Sequence, residues 1–449
     1  MKALLRRLHD HWFTPAPLED LALVRIVVVS AQLILLLTPY LSDEIGACLG
    51  CSLQYQHFLT QVDQSYFAPI PTLKLLLLPF GGPGVRPDPM FLHAVWVAAV
   101  LTGITGLLGA YTRPSLLVFA AANTLLVAHS YSYGEFHHPE ALMTIALWTI
   151  ALGPSGAKRS VDELFFRLRF ARTAMRFEPR PREPTMSDMA RWPLRLIQWM
   201  FGLIYFSAGI SKLANGGLRW FNGYTLAYDV ASDGLDRGSS LGVWVSRQIF
   251  GLRLLSVFTV VFELAFWVVL LLPGLTLLFV LAGIGVHVGI YATQRAPFPQ
   301  LVVLYIVFIE QLRRQVPGWD RIATPKRDWT VVYDGLCPLC IRSMVILDYL
   351  DLRGRLAFVD LEREWARAHA QAPGLTPEAA RHAMHVVGPD GRVYRGFFGF
   401  RALTAVLPPL WVLFPLAHMP LAHRVGGWVY DRMARSRGRE LCRAETCTI

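Results

Sequence analysis

Charge is scarce in this chain. Asp, Glu, Lys and Arg together make up 17% of its 449 residues, while apolar residues make up 54% and the mean hydropathy is +0.39. That balance excludes a disordered chain and is too apolar for an ordinary soluble protein; a multi-spanning membrane part is implied. Cysteine is also sparse. The six present form three close pairs, Cys48 with Cys51, Cys337 with Cys340 and Cys442 with Cys447, which suits local redox or metal chemistry and excludes a secreted disulfide scaffold. A cleavable leader is not expected, because the first apolar run begins near Leu21, after Glu19 and Asp20, and no small-residue cleavage site follows. No internal repeat is visible. The net charge of +11 comes from basic residues flanking apolar runs, where membrane topology accounts for them, and no recognition module for nucleic acid is present.

What is present are long apolar runs. A hydrocarbon core of about 30 Å takes roughly 20 helical residues to cross. By that measure eight spans are expected, approximately Leu21 to Thr38, Phe91 to Tyr111, Ser115 to Tyr133, Glu140 to Leu152, Pro193 to Leu213, Leu254 to Leu272, Leu275 to Thr293 and Pro299 to Leu312. Leu73 to Phe80 is too short to cross. Lys2, Arg6 and Arg7 precede the first span, and a basic run from Lys158 to Arg182 follows the fourth, so both regions are expected on the cytoplasmic side. Four further crossings return the chain to Arg313 and Arg314. The expectation is a multi-pass protein of a bacterial inner membrane with both termini cytoplasmic.

After residue 314 the pattern changes. Residues 315–328, with Pro317, Gly318 and Pro325, read as a linker between a membrane domain over 1–314 and a small domain over 329–437; a cysteine-containing tail occupies 438–449. Trp329 to Tyr333 is expected as a strand, Pro338 to Leu352 as a helix and Leu356 to Asp360 as a second strand. A polar helical stretch then leads to a hairpin, Ala383 to Val387 and Arg392 to Tyr394, around Pro389-Asp390-Gly391. This order is what an α/β thioredoxin-like domain would give, set beside an all-α membrane bundle. Arg401 to Tyr430 is apolar but broken by Pro408, Pro409, Pro415 and Pro420, which favours surface helices packed on the sheet or the bilayer.

The chemistry-bearing motif of the small domain is Asp334-Gly335-Leu336-Cys337-Pro338-Leu339-Cys340. A cysteine at a helix N-terminus faces unpaired N–H groups and the positive end of the macrodipole, which favours its thiolate. Cys340, one turn on, is placed to resolve a mixed disulfide, and the Asp-Gly turn is expected to leave Cys337 accessible. These residues resemble the DCC-type thiol-disulfide oxidoreductases, and the resemblance continues through Met384 to Val387, Asp390 to Gly396 and Tyr430. It implies a thioredoxin-like fold and dithiol exchange in which Cys337 attacks, Cys340 resolves and Asp334 accepts or relays a proton. Thioredoxin-like folds usually carry a proline before the third strand; none directly precedes Ala383. The alternatives are a zinc site shared with Cys442 and Cys447, or two inert buried cysteines.

In the membrane part, Lys212 follows Ala208-Gly209-Ile210-Ser211 and precedes Trp220. An ionisable group at that depth is a functional candidate, either a neutral amine acting as a base or a lysine snorkelling to the interface. The run resembles the membrane core of the vitamin K-dependent γ-carboxylases, the HTTM domain, with further matches at His138, Ser160-Val161-Asp162, His287 and Phe298-Pro299. That resemblance implies Lys212 as the base that deprotonates a reduced quinone, His138 (with His137 beside it) in acid–base work, and His287 and Trp220 at the cofactor. Glu263 is a candidate ion-pair partner for a basic residue of the bundle. Where the family has a lysine pair, this chain has Ser211-Lys212, and it lacks the large lumenal region of the animal carboxylases. The expected function is a membrane redox protein: a quinone-binding bundle joined to a cytoplasmic protein-disulfide reductase. Its cofactors would be a redox-active dithiol and a vitamin K-type quinone, with no metal. Its partners would be membrane lipid and a protein or small-molecule disulfide, with no nucleic acid. The alternatives are carboxylation of an outer-face substrate, or a non-catalytic bundle that tethers the reductase or forms a transport pathway.

Overall fold

Apolar runs with few charges satisfy their backbone groups within helices, and most of the first 317 residues follow that rule. A computed structural model describes residues 2–38, 59, 62–80, 86–134, 138–181, 183–319 and 326–435. The chain divides into two compact units, one of Met1–Val161 with Thr185–Pro317 and one of Asp162–Pro184 with Gly318–Ile449.

Among the described residues, the first unit consists of helices and loops apart from a two-residue pairing of β1 (Ala16–Pro17) with β2 (Met186–Ser187). Of the eight expected spans, five are helices long and apolar enough to cross a membrane: Leu18–Leu37, Pro89–Leu108, Thr112–Tyr131, the run Asp188–Asn222, and Pro273–Gln294. The other three are shorter or broken, so eight crossing helices are not shown. His138–Leu152 has 15 residues. The sixth expected span breaks between Ile249–Ala265 and Val268–Leu271, and the eighth divides into Pro299–Leu304, a three-ten turn Tyr305–Phe308 and Ile309–Gln315. Apolar composition predicted them, but His138–Leu152 falls short of the roughly 20 residues that a crossing takes, and the other two leave the α-helical pattern at Phe266–Trp267 and at the three-ten turn Tyr305–Phe308. The parity argument for topology loses its footing with them.

Several polar side chains inside this unit are paired. Arg25, fully buried on Leu18–Leu37, donates to the carbonyls of Ser155 (2.8 Å) and Arg159 (2.5 Å). Gln32 donates to Asn123 Oδ1 at 2.9 Å between two helices.

The second unit is built on a four-stranded sheet in the order β4-β3-β5-β6. β3 (Trp329–Tyr333) runs parallel to β4 (Leu356–Asp360), which requires the crossover helix Pro338–Leu350. β5 (His385–Val387) is antiparallel to β3 and to β6 (Val393–Arg395). Gly391, at φ +78°, makes the hairpin turn. Strand and helix order in this unit follow the sequence expectation.

The expectation assigned Asp162–Pro184 to the membrane domain, but this segment groups with the sheet. Phe177 packs edge-on against Tyr333 and Phe358, with ring centroids 5.8 and 4.9 Å apart. Arg167 Nη2 donates to Asp348 Oδ2 at 2.6 Å, and the Arg180 backbone N–H reaches the same oxygen at 3.2 Å. The Arg180 guanidinium caps the carbonyls of Asp348, Tyr349 (3.3 Å) and Asp351 (3.0 Å), where the crossover helix leaves acceptors unsatisfied. Asp348→Ala leaves both arginines without their shared partner; the expected loss is about 3 kcal/mol. It is read as a lower denaturant midpoint and faster proteolysis at residues 162–184.

Candidate functional site

The crossover helix begins where the sequence places it. Cys337 is its N-cap, in extended backbone conformation, with Pro338 in the first turn, where a missing N–H costs nothing. The Cys340 N–H donates to Cys337 Sγ at 3.3 Å, and both cysteines are free thiols. An N–H aimed at sulfur stabilises the anion, whereas burial stabilises the neutral thiol. Burial is extensive: Cys337 is 0% exposed and Cys340 7%. The sequence expectation of an accessible Cys337 is therefore corrected. The turn that precedes the helix folds inward, and the side chain joins the core that holds Val331, Tyr333 and Met344.

Asp334 shapes that turn. Its Oδ1 accepts the Leu336 N–H at 3.0 Å and its carbonyl accepts the Cys337 N–H at 3.3 Å. Gly335 is required by a close approach: a Cβ there would overlap the carboxylate of Asp360, at the end of β4. Asp360 was not anticipated from sequence, and only its place at a strand end hinted at it. Burial pushes its pKa up, the Asp334 charge adds to the rise, and the Glu362 N–H and the positive charge of Arg363 oppose it.

Before β5, where the usual proline is missing, the backbone is tied internally. Met384 donates its N–H to the Tyr430 hydroxyl at 2.9 Å and accepts the Gly396 N–H at 2.9 Å. Gly396 has φ +58°, and a Cβ there would stand 3.0 Å from the Tyr430 ring. Ala383 donates to the Ala379 carbonyl, and its own carbonyl accepts from His385 Nδ1 at 2.9 Å. A substrate strand would have to displace these bonds in order to pair with this segment.

In the first unit, Lys212 on the helix Arg191–Gly216 donates to both carboxylate oxygens of Glu263, at 2.7 and 2.9 Å, and its Nζ lies 5.5 Å from the centre of the Trp220 ring. His138 and His287 flank the ring of Phe298, with centroids 5.8 and 5.3 Å away. The Tyr205 hydroxyl, seven residues before Lys212 on the same helix, shares hydrogen bonds with His287 Nε2 (2.8 Å) and the Tyr305 hydroxyl (2.7 Å). Sequence reasoning missed both tyrosines. The two-turn spacing from Lys212 to Tyr205 was the available signal.

His137, Cys48, Cys51, Cys442 and Cys447 lie outside the described residues. Among the described residues no group of three or more His, Cys, Asp or Glu side chains could hold a metal ion.

Asp360 yields a pH test. A carboxyl whose folded pKa is raised supports the fold fully below its ordinary value, and that support is lost as pH rises through the raised value. Asp360→Asn should therefore unfold at a higher temperature than the parent at neutral pH, and the gap should close in acid. Thermal unfolding across the two ranges measures it.

Residues 331–443 match the DCC1-like thiol-disulfide oxidoreductase family. An uncharacterized chloroplastic protein of Arabidopsis thaliana is 27% identical over 125 residues, covering 27% of this chain and 57% of that protein. The chain thus spans little more than half the length of that relative. No solved structure matches. These matches support a DCC1-like thiol-disulfide oxidoreductase domain at residues 331–443.

Proposed function

We propose that the protein is a membrane-anchored protein-disulfide reductase whose reacting pair is Cys337 and Cys340. The observation that carries this reading is the Cys340 N–H pointing at Cys337 Sγ from the first turn of Pro338–Leu350. The Cys337 thiolate attacks one sulfur of a substrate disulfide and expels the other as a thiolate. Cys340, having given up its proton, then attacks Cys337 Sγ and releases the second substrate thiol. Two electrons pass to the substrate, the released sulfurs take up two protons, and the enzyme is left as a Cys337–Cys340 disulfide for an external dithiol to reduce. The sheet order β4-β3-β5-β6, with β5 antiparallel to the rest, supports a thioredoxin-like reading of the domain. Because Cys337 is buried, the attack follows a local opening of the turn around Asp334 and Gly335. Cys337→Ser should abolish reduction of a model disulfide, and Cys340→Ser should trap a mixed disulfide on Cys337, seen by mass spectrometry. Retained reduction by Cys337→Ser overturns the assignment.

For the bundle we propose a γ-carboxylase-like, quinone-binding role, with Lys212 and His138 in acid–base work and His287 and Trp220 near the cofactor. What supports it is the concentration of buried hydrogen-bonding side chains, Tyr205, His287 and Tyr305, in an otherwise apolar set of helices. The bidentate Lys212–Glu263 pair favours a second reading, in which the bundle is a non-catalytic anchor and Lys212 a structural cation. The basic flanks support cytoplasmic termini in an inner membrane.

A paired-variant experiment separates the two. Lys212→Met alone leaves the Glu263 carboxylate without its cation, at a cost of about 3 kcal/mol or more, so abundance should fall whichever reading holds. Adding Glu263→Gln should restore abundance. If the parent turns over a reduced quinone and the double variant, restored in abundance, does not, Lys212 acts chemically; no turnover in the parent, or turnover that returns with abundance, makes the pair structural.

A further inference from the structure

The C-terminal apolar stretch meets the rest of its unit with one face and leaves another uncovered. Phe397–Val406 is packed inward, with Leu403 and Val406 buried. The turn Pro408–Leu413 and the helices Phe414–His418 and Ala422–Arg435 behave differently. In Ala422–Arg435, which contains no buried residue, Gly426 lies against the Phe397 ring and Tyr430 holds the Met384 N–H. Those two residues, four apart, mark the docked face. Val425 and Trp428 point about 100° or more away from Gly426 around the helix. They are 61% and 60% exposed, and Leu421, one turn earlier, is 63% exposed. Val412 and Leu416, in the turn and helix that precede Ala422–Arg435, are exposed as well, at 81% and 61%.

Two features identify the occupant. The exposed face also carries arginine: Ala422–Arg435 has Arg424, Arg432 and Arg435 against one acidic residue, Asp431, and Arg432 follows Trp428 by one turn. The Arg432 guanidinium lies 5.9 Å from the Trp428 ring, and Arg353 lies 5.6 Å from the Trp411 ring. Tryptophan with arginine at the edge of an apolar stripe suits the headgroup layer, where the ring sits at the boundary and the cation reaches phosphate. The same chain also carries five helices able to cross a bilayer, so a lipid surface is already at hand, whereas a second protein would have to be met separately.

We propose that the uncovered face of Pro408–Arg435 is an interfacial anchor that lies in the headgroup layer of a bilayer containing anionic phospholipid. It does not cross. Phe397–Val406 and Pro408–His418 are together apolar enough for a span, but they meet at 118° and the first half belongs to the core of the unit. A straightened span would expose that core.

The test is photolabelling of the full-length protein in nanodiscs of phosphatidylcholine and phosphatidylglycerol containing a phospholipid with a diazirine in its acyl chain. Adducts mapped by mass spectrometry are expected on residues 411–433 as well as on the spans. Val425→Glu with Trp428→Glu should lower the adducts at 411–433 by about tenfold and leave the spans labelled. Omitting phosphatidylglycerol should lower them about threefold or more. Labelled spans with an unlabelled 411–433 segment overturn the proposal. So does a bifunctional protein crosslinker, added to the same nanodiscs, that joins two copies through this face, which would make it a dimer surface. Unlabelled spans overturn the membrane premise on which the proposal rests, and that outcome is distinct from the other two.

Discussion

A helix that starts at Pro338 leaves its first N–H groups without intrahelical acceptors, and one of them, from Cys340, is satisfied by sulfur. The arrangement around the thiol pair follows from that need. The chain must turn sharply between the end of β3 and the helix. Asp334 supplies the turn by accepting the Leu336 N–H, and Gly335 makes room for the Asp360 carboxylate. The far end of the same helix has the opposite need, for donors, and the arginine of a segment distant in sequence meets it. One short helix is thus held at both ends by the groups it cannot satisfy itself.

Pairing of scarce charge is the second theme. In a chain with little charge, several buried or partly buried charged groups sit opposite partners: Arg167 and Arg180 on Asp348, Lys212 on Glu263, Arg25 on two backbone carbonyls. Burying an ion without such a partner costs several kcal/mol, so these contacts specify which helices meet more than they add net stability. The Lys212–Glu263 pair also changes how Lys212 is understood. A lysine that looks like a lone base in the sequence is the donor half of a bidentate ion pair with an aromatic ring nearby.

Much of the second unit was legible beforehand. Short apolar runs of β-favouring residues marked β3 and β4, Pro389-Asp390-Gly391 marked the hairpin, and Cys337-Pro338 marked the helix start, because each signal is carried by neighbouring residues. The same local logic counted eight spans, of which five are helices long and apolar enough to cross. Composition alone made Leu254 to Leu272 and Pro299 to Leu312 look continuous, and it did not reveal where packing would break them. The polar cluster of Tyr205, His287 and Tyr305 was half seen, since a tyrosine in an apolar run reads as ordinary core until its hydroxyl partner on another helix is known.

By itself, the sequence determined the elements and their order: long apolar helices first, then a β-α-β unit and a hairpin around a cysteine pair, all written in periodicity and caps over a few residues. Only the tertiary structure decided that Asp162–Pro184 belongs with the sheet, that Cys337 is buried and that Lys212 faces Glu263. These depend on contacts between residues far apart along the chain, and such contacts are selected by packing and charge pairing in three dimensions, which no local pattern records.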